Sequence, residues 1–268
     1  MAIPTLPPEA PLSRPKKKDR RDRILGELRL SPHVRTVDLA ARFGVSSETI
    51  RRDVEALEAE GRLARAHGGV TVLPGGRPDL AQRLTQSLPE RECIGRHVAN
   101  LIAPGETLMI DAGSTTLQFA RHLAFRQTPV TVVTNGLAIA LAIGRGGAAR
   151  VLMCPGDYLH GEEAVVGPET LDFLGRHAVD RCVIGAAGVD NMGVSEAVPG
   201  FAAVKRTMIG RSGAAVLLVD AGKFGRRHLE SVSGFGRFGM IVSDGAPPDE
   251  IRDAIVREGG RMVKAVGA

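Results

Sequence analysis

The chain has 268 residues, 43% of them hydrophobic, with 33 glycines, one tyrosine, no tryptophan and a formal net charge of +5. That length supports one large or two modest domains with real cores, and the scarcity of tyrosine and tryptophan argues against an aromatic base-stacking surface. Three cysteines far apart, with no C-x-x-C pair and no clustered histidines, argue against a disulfide framework or a zinc site and fit a reducing cytoplasm.

Residues 1–18 read as a disordered lead, proline-rich at first and then basic. Its prolines stand where a signal peptide needs an apolar run, and LAIALAI at 137–143 is too short to span a membrane, so the chain is expected to be neither exported nor inserted. Most of the net positive charge, +4 of +5, lies in residues 1–70, chiefly in RPKKKDRRDR at 14–23. Such a run attracts phosphate backbones nonspecifically, or is simply a solvated tail.

Residues 19–73 carry three helical patterns, at about 19–30 with Ile24, Leu25 and Leu28 inward, at 37–43 and at 47–60. Thr36 is placed to cap the second helix, Gly44 to stop it and Ser46 to cap the third, which is helix-turn-helix spacing. In the third helix Ile50, Val54 and Leu57 share one face, while Arg51 and Arg52 project away from it. A recognition helix enters the major groove by its N-terminal residues, so Ser46, Ser47 and Thr49 are candidate donors to DNA, and Arg51 and Arg52 candidates for phosphate or guanine. The plainer alternative pairs these arginines with Glu48, Asp53 or Glu55 on an ordinary exposed face. LAR and VTV flanking AHGG predict a hairpin, a wing that would set Arg65 and His67 near the DNA backbone.

LPGGRP at 73–78 opens a linker expected over 74–88. Beyond it, in residues 89–268, a helix at 89–102 precedes apolar runs at 107–110, 130–133, 151–154, 182–185, 215–219 and 240–242, most followed by a helical pattern. Strands of that kind alternating with helices predict an α/β domain with a largely parallel sheet. DAGSTT at 111–116 lies between a strand and a helix, so Asp111, Gly113, Ser114, Thr115 and Thr116 offer backbone amides and hydroxyls to an anion, or merely cap the helix. The ends of other strands would gather at the same edge: Thr134 and Asn135, Gly185, and Asp220 with Lys223. Lys223 would neutralise phosphate, and Asp111 or Asp220 would accept from sugar hydroxyls.

The stretches RDRIL at 21–25 and VDLAARFGVSSETIRRDVEALEAEGRLARAHGGV at 37–70 resemble the winged helix-turn-helix of the DeoR family of bacterial transcriptional regulators. Residues 80–268, with DAGSTT, VVTNGLAIA, VVGPETLDFL, GAAGVD, AVKRTMI and KFGR, resemble that family's sensor domain. The resemblance implies a repressor of double-stranded operator DNA, working as a homo-oligomer without a cofactor and answering to a phosphorylated sugar or related metabolite. One departure stands out, since the family usually has acidic residues just before A-V-K-R and this chain has PGFA at 199–202. A competing class is a sugar-phosphate isomerase or deaminase fused to a DNA-binding domain, with Glu196 or Asp190 as its base; a third is a nonspecific DNA-coating protein.

Overall fold

The computed structural model describes residues 17–30, 33–59, 63–66, 69–72 and 79–266, and the chain divides into two compact units, one ending at Arg77 and the other starting at Pro78. The expected lead therefore lies outside the described residues up to 16, and helix begins at Lys17.

The first unit runs α1 (Lys17–Leu30), β1 (His33–Arg35), α2 (Thr36–Phe43), α3 (Ser47–Ala59), β2 (Leu63–Ala66) and β3 (Gly69–Val72). Ile24 of α1, Val34 of β1, Leu39 of α2 and Ile50, Val54 and Leu57 of α3 are buried together, each burial contributing about 1.5–3 kcal/mol. β2 and β3 pair antiparallel as the hairpin signal predicts, with Ala66 opposite Gly69. β1 was not foreseen; three residues without alternation carry no strand signal, and pairing to β3 through Val34 and Val70 makes it a strand. Thr36 is the first helical residue of α2 rather than its cap, which falls on Arg35 without a side-chain bond.

In the second unit α4 (Leu80–Leu84) and α5 (Leu88–Ala99) lead into β4 (Thr107–Ile110), α6 (Ser114–Phe125), β5 (Thr131–Thr134), α7 (Leu137–Gly146) and β6 (Arg150–Met153). Next come β7 (Asp157–Leu159), β8 (Ala164–Val166), α8 (Pro168–Gly175), β9 (Val179–Gly185), β10 (Gly188–Asp190), β11 (Gly193–Glu196) and α9 (Phe201–Gly210). The chain closes with β12 (Ser212–Leu218), β13 (Glu230–Ser233), β14 (Met240–Ser243), α10 (Asp249–Arg257) and β15 (Met262–Lys264). α4 is thus helical within the stretch expected to be linker.

Seven parallel strands form the central sheet, in the order β15-β14-β12-β9-β4-β5-β6. Its strands are apolar on both faces because helices cover both. Leu108, Ile110, Val132 and Val183 pack with α5, α6 and α7, while Met109, Val133, Cys182 and Ile184 pack with α8, α9 and α10. Gly95 lets α5 approach α6 closely, since a Cβ there would lie 2.6 Å from the Phe119 amide nitrogen. β10, β11 and β13 form a small antiparallel sheet, and β7 and β8 a hairpin. No helix among the described residues is long and apolar enough to cross a membrane.

The strand order fixes where a ligand can sit. From β4 the chain steps outward through β5 and β6, then returns to the other side of β4 with β9 and steps outward again. The C-terminal ends of β4 and β9 are therefore a topological switch point, where connections diverge, the place at which open α/β sheets take their ligands.

Candidate functional site

In the first unit, α2 ends at Gly44, which adopts the left-handed conformation (φ 62°) and lets the Val45 amide donate to the Ala40 carbonyl at 3.1 Å. The turn delivers Ser46, whose Oγ accepts from the Thr49 amide at 3.2 Å and lies 2.9 Å from the Thr49 hydroxyl. Ser46 therefore caps α3, and Ser47 is exposed beside it.

Arg51 and Arg52 also project outward, with side chains 67% and 76% exposed. Both contact Glu48, at 3.4 and 3.3 Å. Such long, exposed pairs are worth no more than about 1 kcal/mol, so they do not hold the arginines back from a stronger anion.

Asp53 has a different place from Glu48. It is buried and faces α1, where Arg20 Nε lies 2.5 Å and Arg21 Nε 3.3 Å from its carboxylate oxygens. The aspartate of T-I-R-R-D thus ties the recognition helix to the arginine of R-x-x-I-L. Asp53→Asn is expected to cost this unit about 2–3 kcal/mol, a buried pair discounted for its partly exposed arginines, whereas Glu48→Gln should change stability by under about 0.5 kcal/mol. Thermal unfolding of the full chain checks this, and equal effects would mean that Asp53 carries no more load than a surface carboxylate. Arg65 lies in β2, opposite Val70; its side chain and the whole of His67 are outside the described residues.

In the second unit, the residues singled out by sequence surround the switch point. Asp111 and Gly113 follow β4, and α6 starts at Ser114 with no side chain capping its first turn. The first amides of a helix have no intrahelical acceptor, and together with the dipole they favour an anion. Ser114 and Thr115 are buried at this start.

Several neighbours use their polar atoms on the scaffold. Thr116 Oγ1 donates to the Asp111 carbonyl at 2.9 Å, and Thr134 Oγ1 to the Ile110 carbonyl at 2.6 Å. Asn135 accepts from the Ala112 amide at 3.1 Å and donates to the Val165 carbonyl at 3.0 Å. Asp220 pairs with Arg91 at 3.3 Å, and Lys223 follows in a short helical turn at Ala221–Lys223.

The sequence reading missed the centre of this site. Lys205 of α9 is 2% exposed and donates to the Asp111 carboxylate, to Glu196 Oε1 at 3.1 Å and to the Gly185 carbonyl at 2.8 Å. The other Asp111 oxygen accepts from the Gly185 amide at 3.1 Å. Burial pushes the Asp111 carboxyl up; burial alone would push the Lys205 ammonium down, but Asp111 and Glu196 outweigh it and hold Lys205 above the usual lysine range. The cluster places two carboxylates against one ammonium, so it holds its protons tightly.

A signal for Lys205 was present. It sits four residues after Phe201 and four before Ile209, both buried, so it lies on the inward face of α9, and an inward lysine requires a partner. Residues 199–202, where the resemblance implies acids, instead bring Gly200 in a left-handed conformation (φ 85°) followed by buried Phe201 and Ala202. Asp190 lies apart from the cluster, 3.6 Å from Arg227. No group of metal-ligating residues occurs among the described residues.

Residues 20–74 match the family model described as DeoR-like helix-turn-helix domain, and residues 86–245 that described as DeoR C terminal sensor domain. The glycerol-3-phosphate regulon repressor of Escherichia coli (strain K12) is 30% identical over 244 residues, covering 90% of this chain and 96% of that one. Transcriptional repressor AccR of Agrobacterium fabrum is 32% identical over 232 residues, covering 85% and 89%. Among solved structures, ribose 5-phosphate isomerase A from Methanocaldococcus jannaschii aligns with a TM-score of 0.37 and 16% identity, over 50% of this chain and 52% of that one.

Proposed function

The chain belongs to the DeoR family of transcriptional regulators, and from that premise we propose a repressor whose hold on operator DNA is set by a phosphorylated sugar or related metabolite at the strand edge of its second unit. It is a DNA-binding regulator rather than an enzyme, as its relatives are named repressors.

One observation carries the effector half of this reading: the uncapped start of α6 coincides with the switch point of the sheet. The phosphate lies against the first amides of α6 and the hydroxyls of Ser114 and Thr115, with Lys223 as the neutralising cation. Thr116, Thr134, Asn135 and Gly185 shape the cradle through their scaffold bonds. Asp111 and Asp220 face the polyol end, Asp111 from within the Lys205 cluster.

In the DNA half, Arg51 and Arg52 reach bases or phosphates, Ser47 and Thr49 donate beside them, and Ser46 orients the helix. Arg65 and His67 belong to the wing. A homo-oligomer presents two or more such helices and so reads repeated half-sites. Operator binding places the protein in the cytoplasm, free of the membrane.

Ser114→Ala combined with Lys223→Ala tests the pocket. The double variant should bind DNA upstream of its own gene as the parent does, while its response to sugar phosphates weakens at least about tenfold, each lost bond to a charged group being worth about 1.5–3 kcal/mol. A full response would place the pocket elsewhere.

A further inference from the structure

α4, the first element of the second unit, is fastened to the loops of the strand edge by two buried arginines. Arg83 on α4 forms a forked pair with Glu162, Nη1 to Oε1 at 3.0 Å and Nη2 to Oε2 at 2.6 Å. Glu162 lies between β7 and β8, and this hairpin rests on the loop after β5: the Leu137 amide donates to the Glu163 carbonyl at 2.7 Å and the Val165 amide to the Asn135 carbonyl at 2.8 Å. Arg91 on α5 donates through Nη1 to the carbonyl of Arg83, while its Nε and Nη2 both reach Asp220 Oδ2 at 3.3 Å. A continuous polar chain thus runs from the end of β12 through Arg91 and α4 to the loop after β5.

The links differ in quality. The Arg83–Glu162 fork is short and bidentate, the geometry of a firm pair. Arg91 holds Asp220 through one oxygen at the outer limit of hydrogen-bond range, so this contact yields first.

We propose that Arg91 carries occupancy of the anion cradle to α4, and so to the residues that join the two units in sequence. The inference rests on the effector reading above. β12, β9 and β4 are neighbours in the sheet, so Asp220 stands about 10 Å, two strand spacings, from the start of α6. A phosphate dianion there attracts the Arg91 guanidinium and repels the Asp220 carboxylate. Their contact opens, and the grip of Arg91 on the Arg83 carbonyl changes with it. Because the phosphate interacts differently with the two arrangements of Arg91, it shifts the balance between them.

The chain has no tryptophan, so Ala81→Trp at an exposed position of α4 gives the full-length protein a single reporter, with inorganic phosphate as the probe. Phosphate should slow amide exchange at residues 114–116 and shift the reporter's emission. With Arg91→Lys added, which keeps the charge but loses the fork, the slowing should persist and the emission shift should be lost. Arg91→Gln, which removes the charge that the phosphate attracts, should act alike and serves if the lysine variant fails to fold. An undiminished shift in these variants, or slowed exchange at 114–116 with no emission change in the reporter protein, overturns the relay. Unchanged exchange at 114–116 instead removes the effector reading, and the relay falls with it.

Discussion

Lys205→Met is expected to lower the stability of the second unit by about 3–5 kcal/mol, the cost of stranding buried charge. The substitution keeps the length of the side chain but leaves Asp111 and Glu196, both buried, without their ammonium. Glu196→Gln should cost far less, because it removes the excess negative charge of the cluster and leaves the Asp111–Lys205 pair in place. Urea unfolding of both variants checks the contrast, and a Lys205→Met midpoint close to the parent's would mean that the cluster is not a charged keystone.

The pH dependence follows from the two upward shifts. Lys205 binds its proton more tightly folded than unfolded, so its contribution is complete below the ordinary lysine range and is lost as pH rises through the folded value, above that range. Asp111, pushed up by burial, also binds its proton more tightly in the fold. Its contribution is complete below the ordinary aspartate range and declines as pH rises through its folded value. Acidification therefore does not destabilise the protein through Asp111, and alkaline titration weakens it through Lys205.

The second large effect is expected on DNA. Arg51→Ala and Arg52→Ala should each weaken specific operator binding by about 1–3 kcal/mol where the guanidinium reads a base, or reduce the salt slope by about one where it contacts phosphate. Their contacts with Glu48 are long and exposed, so stability should be nearly unchanged. That separates them from Asp53→Asn, which is expected to act through folding. Operator titrations at several salt concentrations distinguish the cases, and wild-type affinity and slope in both variants would remove the arginines from the interface.

Much of the fold was legible because its signals are local. Ile50, Val54 and Leu57 declared the buried face of α3, Gly44 the turn, and the apolar runs six of the seven parallel strands. β1, β15 and the β7–β8 hairpin were not legible, since three-residue strands exist through their partners rather than through any period of their own. At the site, sequence placed the DAGSTT turn and the strand-end residues at one edge, and the strand order made that edge a switch point. It did not reveal that Asp111 is joined to Lys205, which lies 94 residues away, or that Asp53 faces α1 rather than the neighbouring arginines. Charge partners distant in sequence have no spacing to read, although the inward position of Lys205 announced that one was needed.

On this reading one molecule couples operator binding to a phosphorylated metabolite. The most direct measurement is a mobility shift of the purified protein on DNA upstream of its own and neighbouring genes, against competitor DNA, while a panel of sugar phosphates is titrated. A specific complex should form whose affinity at least one member of the panel changes, by about fivefold or more. A specific complex indifferent to every sugar phosphate would contradict the effector assignment, and the absence of any specific complex would contradict the account as a whole.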